Sequence, residues 1–116
     1  MASPFDISEN MDEKHYFQQL RNLLCLESST IEAGKMMSSP AITFKGKVFC
    51  FLSRKHSMVF KLGQELSDEL IACVSPFAPF KTKPPMKVWW ESSLDQSGNW
   101  EMLSRQALEV VKTEQL

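Results

Sequence analysis

The sequence predicts one α+β domain: an antiparallel sheet with helices mainly on one face. Three observations predict it. The 116 residues are one domain by length. Apolar residues recur at helical spacing near both ends and alternate in twos through the middle. The strand-like segments run consecutively rather than alternating with helices, which favours a meander over a parallel sheet.

Each element has a local reason. Residues 1–11 are polar with little pattern and read as a flexible N-terminal arm; the domain proper is expected over 12–116. From Asp12 the period is helical: Tyr16, Phe17, Leu20, Leu23 and Leu24 share one face. Asn10 or Asp12 can cap that helix, and Asp12 and Glu13 suit its positive end. Residues 31–37 read as a first strand. After Pro40, Ile42 and Phe44 alternate with Thr43 and Lys45, giving a second. Lys45-Gly46-Lys47 reads as a tight hairpin turn, with Gly46 supplying positive φ. Val48 to Leu52 is a continuous apolar run, so that strand is expected to be covered on both faces. Met58, Phe60 and Leu62 alternate with Val59 and Lys61 in a further strand that Gly63 ends.

The second half follows the same logic. Residues 67–74 read as a short helix with Ser67 as its cap. Pro76, Pro79, Pro84 and Pro85 impose an irregular extended connection. Residues 86–91 read as the last strand, with Met86, Val88 and Trp90 on one side and Lys87, Trp89 and Glu91 on the other. Residues 95–99 read as a loop. The final helix is expected from about 99 to 112, with Trp100, Leu103, Ala107, Leu108 and Val111 as its apolar stripe.

Composition narrows the function classes. The hydrophobic content of 43% and charged content of 23% are ordinary globular values. No segment approaches a membrane span, and residues 1–10 have neither the basic region nor the apolar run of a signal peptide, so a cytoplasmic location is the default expectation. Cys25, Cys50 and Cys73 are widely spaced in apolar surroundings and read as free thiols. The net charge of −1 conceals an asymmetry: residues 33–64 carry six bases and no acid, and 81–90 carry Lys81, Lys83 and Lys87 with no acid.

An ordered set of strand motifs adds a resemblance. Gly34-Lys35-Met36-Met37, then Gly46-Lys47-Val48-Phe49, then Phe60-Lys61-Leu62, and later Phe77 to Phe80, Pro85-Met86-Lys87-Val88-Trp89 and Trp100 ahead of a helix with Ala107 and Leu108 resemble the TfoX N-terminal domain family. The resemblance spans about residues 14–112. Two departures are Met37-Ser38 where the family commonly has Phe-Gly, and Lys45-Gly46 where it has Asp-Gly or Asn-Gly. The resemblance implies an α-β-meander-α-β-α sandwich, similar in shape to the YjbR-like and secretion-chaperone folds. Its namesakes regulate bacterial competence, and it implies no catalytic residues; fold alone does not transfer function.

The residues offer little chemistry. His15 and His56 have no partners at metal spacing, the four glycines are scattered rather than forming a phosphate loop, and Glu65, Asp68 and Glu69 sit where a helix dipole favours acids. A Cys50–His56 nucleophile pair lacks an orienting third group. No enzyme, metal or cofactor is expected. A non-enzymatic interaction or regulatory domain is expected instead, contacting a partner protein or a second copy through an open sheet face. The candidate face is Lys45, Val59, Lys61, Lys87 and Trp89. The alternative is a nucleic-acid-associated accessory domain using the basic strands 33–64 and 81–90, with Trp89 as a stacking surface. A third expectation, an enzyme or small-ligand pocket near the proline-rich connection, ranks last.

Overall fold

A computed structural model describes residues 12–78 and 82–114; the arm expected over residues 1–11 lies outside them. Helix α1 (Glu13–Glu27) starts where its sequence signals place it. The Asp12 carboxylate accepts from the His15 N–H at 3.0 Å, and Phe17, Leu20 and Leu24 bury one face. Four strands follow as a meander: β1 (Ile31–Met36), β2 (Ser39–Phe44), β3 (Lys47–Leu52) and β4 (Met58–Lys61), each antiparallel to the next. Helix α2 (Asp68–Ile71), β5 (Ser75–Pro76), β6 (Trp89–Ser92), a 3-10 helix over Leu94–Asn99 and helix α3 (Trp100–Glu114) complete the chain. The six strands form one sheet in the order β1-β2-β3-β4-β6-β5. The fold is α+β.

The first two of the meander's three hairpins close through two-residue turns whose residues all have positive φ. Lys45 (49°) and Gly46 (85°) form the turn read from the sequence. Met37 (49°) and Ser38 (75°) form a second one, which takes Met37 out of the strand expected over 31–37. Positive φ at both central positions is the geometry that matches strand twist, and it normally selects Asn-Gly. With Met and Ser there, no turn signature was present in the sequence.

The apolar run of β3 has a specific explanation. Thr43 pairs with Val48, whereas Ile42 pairs with Cys50, so Phe49 is an extra residue in β3. This bulge turns both Phe49 and Cys50 into the helix-side core, while Phe51 lies on the other face.

The last strand is shorter than expected. Trp89 N–H donates to the Met86 carbonyl at 3.4 Å, which makes residues 87–88 a turn. Lys87 therefore sits in that turn and not on a strand beside Trp89 and Glu91. The 67–74 helix is likewise reduced to α2, capped by Ser67. The loop expected over 95–99 is the 3-10 helix that runs into α3.

α1 and α3 cover one face of the sheet. Their buried side chains, including Phe17, Leu24, Trp100, Leu103 and Val111, meet Ile42, Phe49, Met58 and Phe60. The Trp100 indole N–H donates to Ser92 Oγ at 3.0 Å, and that of Trp90 to the Gly63 carbonyl at 2.7 Å, so neither ring strands a polar atom in the core. At the rim, both terminal nitrogens of Arg105 donate to the Glu27 carboxylate, at 2.8 and 2.6 Å, joining α3 to the end of α1.

The opposite face carries a second, smaller cluster: Ala41, Phe51, Val59, Phe77 and Trp89, edged by Met36, Val48, Met86 and Val88. Phe77 N–H donates to the Trp89 carbonyl at 3.1 Å, and Met86 N–H donates to that of Phe77 at 2.8 Å. Both ends of the proline-rich connection are thereby held against the sheet.

Candidate functional site

This second face is not apolar and open, as the helix count alone suggested. Val59 is 0% exposed and Trp89 8%, because Phe51 packs edge-on against both Phe77 (5.6 Å between ring centroids) and Trp89 (5.4 Å). What remains accessible is a cleft of about 420 Å³ beside that cluster. Phe51, Phe77 and Ala78 give it an apolar floor; Met37 and Ser39 come from the β1–β2 hairpin, Ser53, Arg54 and Lys55 from the β3–β4 connection, and Glu91 from β6.

Local structure fixes each wall. The Met37-Ser38 turn places Met37 at the mouth, 59% exposed, the most exposed large apolar side chain of the sheet. The cost of two non-glycine residues at positive φ is of order 1–3 kcal/mol each, and strain of this kind is concentrated at functional positions. The β3–β4 connection is held by serines. Ser53 Oγ accepts from Ser57 N–H at 3.2 Å and lies 3.0 Å from Ser57 Oγ, which donates to Glu91 at 3.2 Å. This hydroxyl relay ends on a carboxylate and has no imidazole in it. His56, at a φ of 65°, instead turns its ring toward Glu13 of α1, with Nδ1 3.9 Å from the carboxylate.

The cleft is electrostatically one-sided. Arg54 and Lys55 are exposed at its rim, and among the described residues neither has an ion-pair partner. Glu91 is half-buried and already accepts from Ser57. An apolar floor beneath two unpaired cations can hold an apolar group next to an anionic one.

The five residues selected from sequence are not brought together on one exposed surface. Lys45 is exposed in the β2–β3 turn, 5.4 Å from the Phe44 ring centroid. Lys61 Nζ donates to Glu114 at 2.9 Å and is tied to the end of α3. Lys87 is exposed in the turn before β6, while Val59 and Trp89 are buried in the outer cluster. Lys81 lies outside the described residues. Phe49 and Phe51, the aromatics of β3, are 0% and 2% exposed and present no stacking surface either. Sequence reasoning missed Met37, Arg54 and Phe77 as neighbours because a turn without glycine and an irregular connection bring them together. The one available signal was the expectation of a pocket near the proline-rich connection.

Cys50 is fully buried, and burial pushes its thiol far above the usual range, so it holds no thiolate near neutral pH. His56 is on the solvent side of the β3–β4 connection, and no Cys50–His56 pair forms. No group of three His, Cys, Asp or Glu side chains converges among the described residues, and no described helix is long and apolar enough to cross a membrane. No family model, no curated protein and no solved structure matches the chain.

Proposed function

We propose that this chain is a non-enzymatic interaction domain that takes a short segment of a partner protein into the outer-face cleft. One observation carries the reading: an apolar floor of Phe51, Phe77 and Ala78 lies under the unpaired cations Arg54 and Lys55. An aromatic or large aliphatic side chain fits the floor, and a neighbouring carboxylate fits the rim. A desolvated anchor surrounded by charged groups is the usual distribution of binding energy in protein recognition. The resemblance to the TfoX N-terminal family belongs to the same proposal, as an accessory domain acting by contact rather than by chemistry. A cytoplasmic setting belongs to it too.

Selection of random peptides on the full chain tests it. Enriched peptides should pair an aromatic residue with Asp or Glu within two or three positions. Arg54→Glu combined with Lys55→Glu should weaken them by about tenfold or more, mainly through dissociation and unfavourable charge. Peptides without a consensus, or binding indifferent to the charge reversal, would sink the proposal. A second reading, a small organic acid with an apolar body, is favoured by the cleft volume, which falls within the range of small-molecule sites. A thermal-shift screen of such acids that finds no stabilising compound would remove it.

A further inference from the structure

We infer that the segment taken by the outer-face cleft is the C-terminal end of a partner chain, anchored by its last residue, which is aromatic or large and aliphatic. The inference rests on the proposed reading of that cleft as a peptide site. Three observations carry it. The first is size. A volume of about 420 Å³ lies near the lower end of the roughly 300–1,000 Å³ typical of small-molecule sites. It holds one large side chain with its own backbone and not a run of residues. The second is the spacing of apolar and cationic groups. Phe51 and Arg54 line the same cleft and are three residues apart in the chain, with Lys55 next. The cationic rim is thereby kept near the apolar floor, and the ligand's anion must sit near its anchor. An α-carboxylate is joined to the anchor's own Cα, whereas an Asp or Glu side chain on another residue stands at least about 3.3 Å further along an extended chain.

The third is the acid in the lining. Glu91 is half-buried, and its Oε1 accepts from Ser57 Oγ at 3.2 Å. Among the described residues it has no ion-pair partner, and none donates to its other oxygen. The cleft therefore offers an apolar floor, two cations and one free acceptor. A C-terminal residue matches these point for point, with its side chain, its α-carboxylate and the amide N–H on the same Cα. Capture of a terminal carboxylate is a recurring mode of peptide recognition. In an internal residue a neutral carbonyl replaces the carboxylate, and Arg54 and Lys55 hold it less tightly than a charged acceptor. An Asp or Glu beside an internal anchor stands in for the missing charge.

The test titrates the full chain with three peptides by calorimetry: acetyl-Gly-Ser-Gly-Ala-Phe as the free acid, the same peptide as its C-terminal amide, and acetyl-Gly-Ser-Asp-Ala-Phe as the amide. The free acid should bind at least about tenfold tighter than the plain amide. Arg54→Glu with Lys55→Glu, both at exposed positions, should erase that preference. A smaller gap in the unaltered chain, or a preference that survives the charge reversal, would overturn the inference, the latter by placing the carboxylate elsewhere. An Asp-bearing amide that binds as tightly as the free acid would overturn it too, while keeping the cleft as a site for internal peptides. No binding of any of the three overturns both readings. So does N-acetylphenylalanine binding as tightly as the free-acid peptide, since the ligand would then be a small organic acid and not a chain end.

Discussion

The two faces of the sheet are built by different means. On the helix side, α1 and α3 lay periodic apolar stripes over β2, β3 and β4, and the tryptophan N–H groups are satisfied inside the packing. On the outer side, Ala41, Phe51, Val59 and Trp89 pack with Phe77 into a small cluster edged by Met86 and Val88, and Met37, Arg54 and Lys55 line the cleft beside it. The first face is a closed core whose logic is local periodicity. The second is a partial core that ends in a cleft. Its lining includes Met37, exposed in a turn of positive φ, and Arg54 and Lys55, which have no ion-pair partner among the described residues.

This contrast gives a graded set of expectations. The largest effect belongs to the closed core. Phe60→Ala, at a fully buried position between β3 and β6, should cost about 3–5 kcal/mol, on the scale of large-to-small core truncations. Chemical denaturation should show the midpoint collapsing or the domain failing to fold. Phe77→Ala on the outer face should cost about 2 kcal/mol, because its space opens onto the cleft and water can enter it. The same variant should lose peptide binding while remaining folded. An equal loss from the two substitutions would erase the distinction between the faces.

A smaller effect, of opposite sign, is expected in the strained hairpin. Met37→Asn with Ser38→Gly installs the residues that the turn geometry prefers, and should stabilise the domain by about 1 kcal/mol. It should at the same time weaken binding at the cleft, since Met37 stands at its mouth. Stabilisation without loss of binding would reduce Met37 to a neutral bystander. On the same hairpin, Gly34→Ala is expected to destabilise by about 1–2 kcal/mol, because the added Cβ would lie 2.7 Å from Thr43 Cγ2, a β-branched side chain with little freedom to move.

The least effect concerns the exposed tie between α1 and α3. Hydrogen bonding from Arg105 holds the Glu27 carboxyl below its usual range. A depressed folded-state pKa stabilises the native state above the unfolded value and loses that contribution as pH falls through the folded value. Arg105→Ala should therefore lower stability slightly at neutral pH, and the difference from the unaltered chain should vanish under acid conditions, below the usual carboxyl pKa of 4.5. Thermal melts of both chains across that range check it. Because the pair is solvent-exposed, salt should also shrink the difference.

How much was legible in the sequence differs between the faces in the same way. The helix side was readable because α1, α3, β2 and β4 obey simple periods: Leu20 and Leu24, Leu103 and Ala107, Met58 and Phe60 all fall where the spacing puts them. The Lys45-Gly46 turn was readable because glycine marks positive φ. Three features were not. The Met37-Ser38 turn uses residues that rarely adopt its geometry, so Met37 was read as the end of the first strand and not as a turn residue. The extra residue Phe49 breaks the two-residue alternation of β3. Residues 86–88 alternate like a strand but fold back on Phe77, which buries Trp89 rather than presenting it. Val59 and Trp89 lie on the outer face as the alternation put them, but they are buried there with Phe51 and Phe77, and a pocket beside the proline-rich connection was the expectation closest to the cleft found.

The central claim is that the outer face binds and the helix face does not. Its most direct measurement is a backbone amide NMR titration of the isotope-labelled full chain with a selected acidic, aromatic peptide. The expected result is saturable shift changes confined to residues around Met37, Ser39, Phe51–Lys55, Phe77 and Glu91, with α1 and α3 unmoved. Changes centred on the exposed surface of the helices, or scattered without saturation, would contradict it.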